Sequence, residues 1–117
     1  MSEPVGEVIR VDVERRDQGQ VILHVAGDVD MTTAPELDRH ISTVVTNAKV
    51  VVVNLLAVTF FGSPGLSVLV AARGKAEAAG CALRVVATQN AVIRPVRITG
   101  LQGSLELFDT VADALHD

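Results

Sequence analysis

At 117 residues, 49% apolar and 21% charged, the chain is the size of one domain and too apolar to stay unfolded, so a disordered segment is excluded and a single hydrophobic core expected. A net charge of -4, with basic residues scattered and only Phe60, Phe61 and Phe108 as aromatics, gives no surface for neutralising phosphates or stacking bases, so nucleic acid is not an expected partner. Cys81 is the sole cysteine, which rules out an internal disulfide and leaves no basis for a cysteine metal site; it suits a small core position at a strand start.

The elements follow in chain order. Over residues 7–14, "EVIRVDVE" alternates apolar and polar side chains, with Val8, Val11 or Val13 available to face a core, as a half-buried strand would. Asp17, Gln18 and Gly19 supply a turn, and "VILHVAG" at 21–27 forms a second strand, antiparallel to the first because the turn is short. After "DVDM", Thr33-Ala-Pro-Glu36 matches a capping box and predicts a helix with Leu37, Ile41, Val44 and Val45 at helical spacing. "KVVVVNLLAVTFF" at 49–61 begins as a β-branched run, the pattern of a central strand covered on both faces.

A helix over 64–79 follows, with faces assigned by Leu66, Leu69, Val70, Arg73 and Glu77, and Gly80 ending it. "CALRVVA" is the next strand. Asn90 caps a helix in "AVIRPVRITG" that Pro95 kinks or shortens, "SLELF" is a short strand, and Asp109 caps a final helix in "DTVADALHD". The order ββαβαβαβα implies an α/β fold: one domain over 1–117, a single mixed sheet of about five strands with a parallel core, and about four helices packed on it.

Ser63, in "FFGSPGL", has two readings. As a helix N-cap, with Pro64 at the first helical position, it stabilises by about 1 kcal/mol and needs no function. As a modification site it is flanked by Gly62 and Gly65, which leave the hydroxyl open, and it sits at an electropositive helix start. A phosphate there adds roughly -1.5 to -2 charges, held by backbone N–H groups yet repulsive to an acidic or apolar partner surface.

Three stretches, "VILHVAGDVDMTTAPEL", "VVVNLLAVTFFGSPGLSVLV" and "RPVRITGLQGSLELF", give nearly the whole chain a resemblance to the STAS domain found in bacterial anti-sigma factor antagonists. The middle stretch resembles the family's "D-L-x-x-V-x-F-(M/I)-D-S-(S/T)-G-L", whose first Ser is the phosphoacceptor. Aligned through Gly65 and Leu66, that acceptor falls on Ser63. Gly62 stands where the family usually has Asp, Pro64 where it has a second Ser or Thr, and Asn54 where Asp commonly ends the central strand.

The resemblance implies a binding protein that captures an anti-sigma factor, a serine kinase of GHKL ATPase fold, frees a sigma factor, and is inactivated when phosphorylated by that partner. The positions it implies for contact are Asp28 and Asp30 of "GDVD", with Gly62, Ser63, Pro64, Gly65, Leu66 and the exposed face of the helix that follows. Asp28 and Asp30 have a plainer reading too, since Asp after a strand commonly closes a turn or precedes a helix.

Other signals are weak. Gly74-Lys75 lacks the rest of a phosphate loop, and "GSPGL" has Phe61 where a nucleophile elbow needs Gly. His24, His40 and His116 have no nucleophile beside them, Asp28 and Asp30 lack a third ligand for a metal, and Arg94 with Arg97 reads more simply as a solvated face than as an anion site. No enzyme activity, cofactor or metal is therefore expected. No apolar run reaches the roughly 18 residues of a membrane span, and "MSEPVGEVIR" is unlike a signal peptide, so a cytoplasmic protein is expected, a monomer or weak dimer. The alternative is a STAS accessory subunit of a transport or signalling assembly with no phospho-switch. An enzyme or ligand binder would need Asp28, Asp30 and Ser63 to converge on one pocket.

Overall fold

In the computed structural model, which describes residues 9–103 and 105–116, β1 (Ile9–Arg16) and β2 (Gln20–Val29) pair antiparallel. Gln18 (φ 66°) and Gly19 (φ 76°) reverse the chain between them in the left-handed conformation, which glycine adopts freely and a residue such as Gln adopts at about 1–2 kcal/mol. The Gly19 carbonyl then accepts the Lys49 N–H at 2.8 Å, tying the hairpin to the entrance of the next strand. Ile9 supplies the buried end of β1, Val11 is partly buried, and Val13 is exposed. The expected strand start at residues 7 and 8, and with it Val8, lies outside the described residues.

The central strand is β3 (Val50–Phe61), parallel to β2 on one side and to β4 (Ala82–Val86) on the other, with β5 (Leu107–Phe108) parallel to β4. The sheet order is β1-β2-β3-β4-β5. Three helices, α1 (Ala34–Val44), α2 (Ser63–Ala79) and α3 (Asn90–Ile98), connect successive parallel strands. Each crossover steps the same way along the sheet, and crossovers of one hand then place all their helices on one face. That face holds the main core: Leu23, Val25, Val51, Val53 and Leu55 against Leu37 and Ile41 of α1, Leu69 and Ala72 of α2, and Val92 and Val96 of α3. The last helix, α4 (Val111–Leu115), covers part of the opposite face, where Ala114 meets Ile22, Val52 and Val86. The valine run is thus buried on both sides, Val51 and Val53 on one and Val52 on the other.

β3 does not keep an even alternation. Its register against β2 slips between His24 and Ala26 and again between Gly27 and Asp28, so β3 carries two extra residues. Its core-facing positions run 51, 53, 55, 58 and 61. Bulges disrupt ladder bonds, and side chains take over. Asn54 Oδ1 accepts the Leu56 N–H at 3.1 Å, while Gln89 Nε2 donates to the carbonyls of Leu55 (2.6 Å) and Val58 (2.8 Å). With Asn54 Oδ1 so used, its amide nitrogen faces His24 Nδ1 at 3.0 Å, which makes Nδ1 the acceptor; His24 Nε2 donates to Glu14 Oε1 at 2.7 Å. The His24 bond, then that of Arg16, holds the Glu14 carboxyl below its ordinary range.

The helix ends differ from expectation in four places. Thr33 precedes α1 but makes no cap bond into it; its hydroxyl donates to the Asp28 carbonyl instead. The N-cap of α2 is Gly62, not Ser63. Gln89, not Asn90, precedes α3, its side chain drawn to the β3 bulge. Thr110, not Asp109, caps α4, its Oγ1 accepting the Asp113 N–H at 3.0 Å. Gly80 does end α2 in the left-handed conformation. Pro95 lies inside α3, where its missing N–H cannot reach Ala91, and the helix stops after nine residues. Of "SLELF" only Leu107 and Phe108 form a strand; Ser104 and Asp117 lie outside the described residues.

The reassigned cap is open to test. Thr110→Ala should lower stability by about 1 kcal/mol in urea unfolding, whereas Asp109→Ala should change it by less than about half that.

Candidate functional site

Ser63 is presented by the junction of β3 and α2. The Gly62 N–H donates to the Val29 carbonyl at 2.9 Å, extending the β2–β3 contact by one residue. Gly62 is still extended (φ -94°, ψ -177°), and its own carbonyl accepts the N–H groups of Gly65 (2.9 Å) and Leu66 (3.3 Å), which starts the helix. Ser63 is therefore the first helical residue, its side chain exposed and its hydroxyl making no hydrogen bond to another described residue.

The expected seat of backbone N–H groups for a phosphate is largely spent. A helix start ordinarily leaves several N–H groups open; here that of Gly62 goes to Val29, Pro64 has none, and that of Gly65 turns back to Gly62. What remains for a phosphate is the helix dipole and the N–H of Ser63 itself.

Gly65 sets how deeply this junction sits. A Cβ at this position would lie 2.7 Å from Phe61 Cε1 and 2.9 Å from Val29 Cγ1, so only glycine lets the first turn of α2 rest on the ends of β2 and β3. Leu66, expected at the contact surface, is 94% buried in the core. It also lines the floor of a groove of about 450 Å³ that begins at Ser63 and runs between Ser67 and Val70 of α2 and Thr99 and Leu101 beyond α3. Asp28 and Asp30 do not line this groove.

The "GDVD" stretch is not one loop. Asp28 belongs to β2, registered beside Phe60, and its Oδ1 accepts the Thr59 hydroxyl at 2.6 Å. Asp30 follows the strand and builds the turn. Its Oδ1 accepts from the N–H groups of Thr32 (2.9 Å) and Thr33 (3.1 Å) and from the Thr32 hydroxyl (2.8 Å). Thr33, 6% exposed, accepts the Asp30 N–H at 2.9 Å. These bonds, that of the Thr32 hydroxyl foremost, hold the Asp30 carboxyl below its ordinary 3.8. The carboxyl ends of β2 and β3 thus bring Asp28, Asp30 and the 62–66 segment to one end of the sheet.

Two residues at this end had no role in the sequence reading. Phe60 is 53% exposed with its ring beside Gly62, and Met31, in the turn before α1, is 79% exposed. Two adjacent phenylalanines in a strand point to opposite faces, a signal that could have found Phe60; nothing comparable marked Met31. Arg94 and Arg97 are exposed on α3. Among the described residues no cluster of His, Cys, Asp or Glu could hold a metal ion, and no helix is long and apolar enough to cross a membrane.

Comparison with known proteins agrees with this architecture. The STAS domain family matches residues 10–114. The anti-sigma-F factor antagonist RsfB of Mycobacterium tuberculosis is 37% identical over 100 residues, 83% of this chain and 80% of that protein. The crystal structure of an anti-sigma factor antagonist from Mycobacterium paratuberculosis is 38% identical and superposes with a TM-score of 0.85 over 92% of each chain. The unphosphorylated form of the anti-sigma factor antagonist SpoIIAA shares the fold at 17% identity, with a TM-score of 0.76 over 91% of this chain and 93% of that one.

Two measurements probe the junction and the turn. Gly65→Ala should destabilise the domain by about 1–3 kcal/mol in urea unfolding through overpacking against Phe61 and Val29. Because the Asp30 pKa is depressed in the fold, its contribution is present above its unfolded value near 3.8 and is lost as pH falls through the lower folded value. Asp30→Asn should therefore be less stable than the parent at pH 7, with the gap closing below pH 3.8 in a series of thermal melts.

Proposed function

The chain belongs to the STAS domain family, and from that premise we propose that it is a cytoplasmic anti-sigma factor antagonist. It binds an anti-sigma factor that is a serine kinase of GHKL ATPase fold, which frees a sigma factor, and phosphorylation of Ser63 switches it off. It acts by binding and is the substrate of the kinase, not a catalyst.

The observation that carries the reading is the state of Ser63. It is exposed at the junction of β3 and α2, and its hydroxyl is not spent on capping α2, because Gly62 occupies that position. A side chain released from structural duty can be modified without unfolding the helix. Two relatives at 37% and 38% identity named as anti-sigma factor antagonists support the role. Phosphate at Ser63 finds few backbone donors within its own helix, so its charge acts outward, where a docked partner must desolvate or repel it.

Capture from native cytoplasm with three baits, the parent chain, Ser63→Ala and Ser63→Glu, tests this. The parent and Ser63→Ala should retain one ATPase-fold anti-sigma factor, and Ser63→Glu should bind it at least about tenfold more weakly, a difference of about 1.4 kcal/mol. Equal retention by all three removes the switch. Capture of transport or signalling subunits in place of such an ATPase gives the accessory-subunit reading the lead.

A further inference from the structure

Among the described residues six large apolar side chains are exposed, and three of them belong to the segments that meet at the Ser63 end of the sheet: Met31 in the turn before α1, Phe60 at the end of β3, and Val70 on the groove side of α2. Single exposed apolar residues need no explanation, but a group around one site marks an interaction surface. Phe60 is held for that role. Its ring lies against Gly62, where a Cβ would come within 3.2 Å of Cε2, and its register partner Asp28 shares its face of the sheet. α4 covers Ile22, Val52 and Val86 on that face, and Phe60 lies beyond it.

The charge around these side chains is mainly acidic. Residues 25–38 and 55–72, which build this end of the sheet, contain no Lys or Arg, while Asp28, Asp30 and Glu36 lie among them; exposed Arg10 of β1, in register with Ala26, adds one cation to the same face. An apolar pair inside an acidic rim fits a surface of the inverse kind.

We propose that Phe60 and Met31 are the apolar anchors by which this chain grips its protein partner, and that the partner offers an apolar recess rimmed by Arg or Lys. Aromatic side chains in desolvated central positions dominate binding energy, and the charged rim governs association rate and salt dependence. The inference rests on the function proposed above for the partner's identity alone; the anchors follow from exposure, register and charge.

The test places a benzophenone photocrosslinker at residue 60, at residue 31 and, as a distant control, at residue 13 of the full chain in its native cells, with adducts identified by mass spectrometry. Residues 60 and 31 should capture the same anti-sigma factor and residue 13 should not. With that partner purified, Phe60→Ala and Met31→Ala should each weaken binding by about tenfold or more, Phe60→Leu by less, and Val13→Ala not at all, with unfolding midpoints confirming that each variant is folded.

If residues 60 and 31 capture one protein that is not an anti-sigma factor, the anchors stand and the proposed partner identity falls. An adduct of the chain with itself at residue 60, no adduct at either position, or unchanged affinity in a folded Phe60→Ala each overturns the proposal.

Discussion

The backbone of α2 meets the ends of β2 and β3 at Gly65, with no room for a single added carbon between it and Phe61 or Val29. That contact fixes the height at which the helix leaves the sheet. It lets the Gly62 carbonyl serve the N–H groups of Gly65 and Leu66 together, so the helix begins without a side-chain cap. The exposure of Ser63 follows, since a deeper or shallower helix would need a different residue at its start. Leu66 goes into the core for the same reason, one residue beyond the glycine that brings the turn down.

Around this junction the backbone is irregular, and polar side chains absorb the irregularity. The two extra residues of β3 leave amides and carbonyls without ladder partners, and Asn54 and Gln89 supply them. Buried or half-buried backbone groups must be paired somewhere, so these two amides do structural work that charged residues could not do with the same geometry. Asn54 is bifunctional: one end accepts from Leu56, and the other orients His24, which in turn orients Glu14. An Asp in place of Asn54 would have no hydrogen to give His24.

On the other side of Ser63 the turn at residues 30–33 is closed by its own side chains. Asp30 and the two threonines form a compact set of bonds, which places Met31 outward with its backbone held on both sides. Asp28 is tied only through one oxygen to Thr59. The two carboxylates, alike in the sequence, therefore differ in duty: Asp30 builds the turn that α1 follows, and Asp28 stands on the sheet face beside Phe60.

Local periodicity was enough to determine the order of elements, the antiparallel opening pair, the valine-rich central strand and the core positions of Leu37, Ile41 and Leu69, because burial on a strand or a helix imposes a repeat that a single sequence records. The motif around Ser63 also placed that residue at the passage from the central strand to the following helix, where it stands. Tertiary structure decided what has no local repeat: the two bulges in β3, the division of labour between Asp28 and Asp30, and the exposure of Phe60 and Met31. It also chose the caps. Thr33 and Gln89 each had a local role within reach and bonded elsewhere, to the Asp28 carbonyl and to the β3 bulge. A side chain chooses among hydrogen-bond partners only once distant segments have met, and the spacing of residues along the chain carries no record of that meeting.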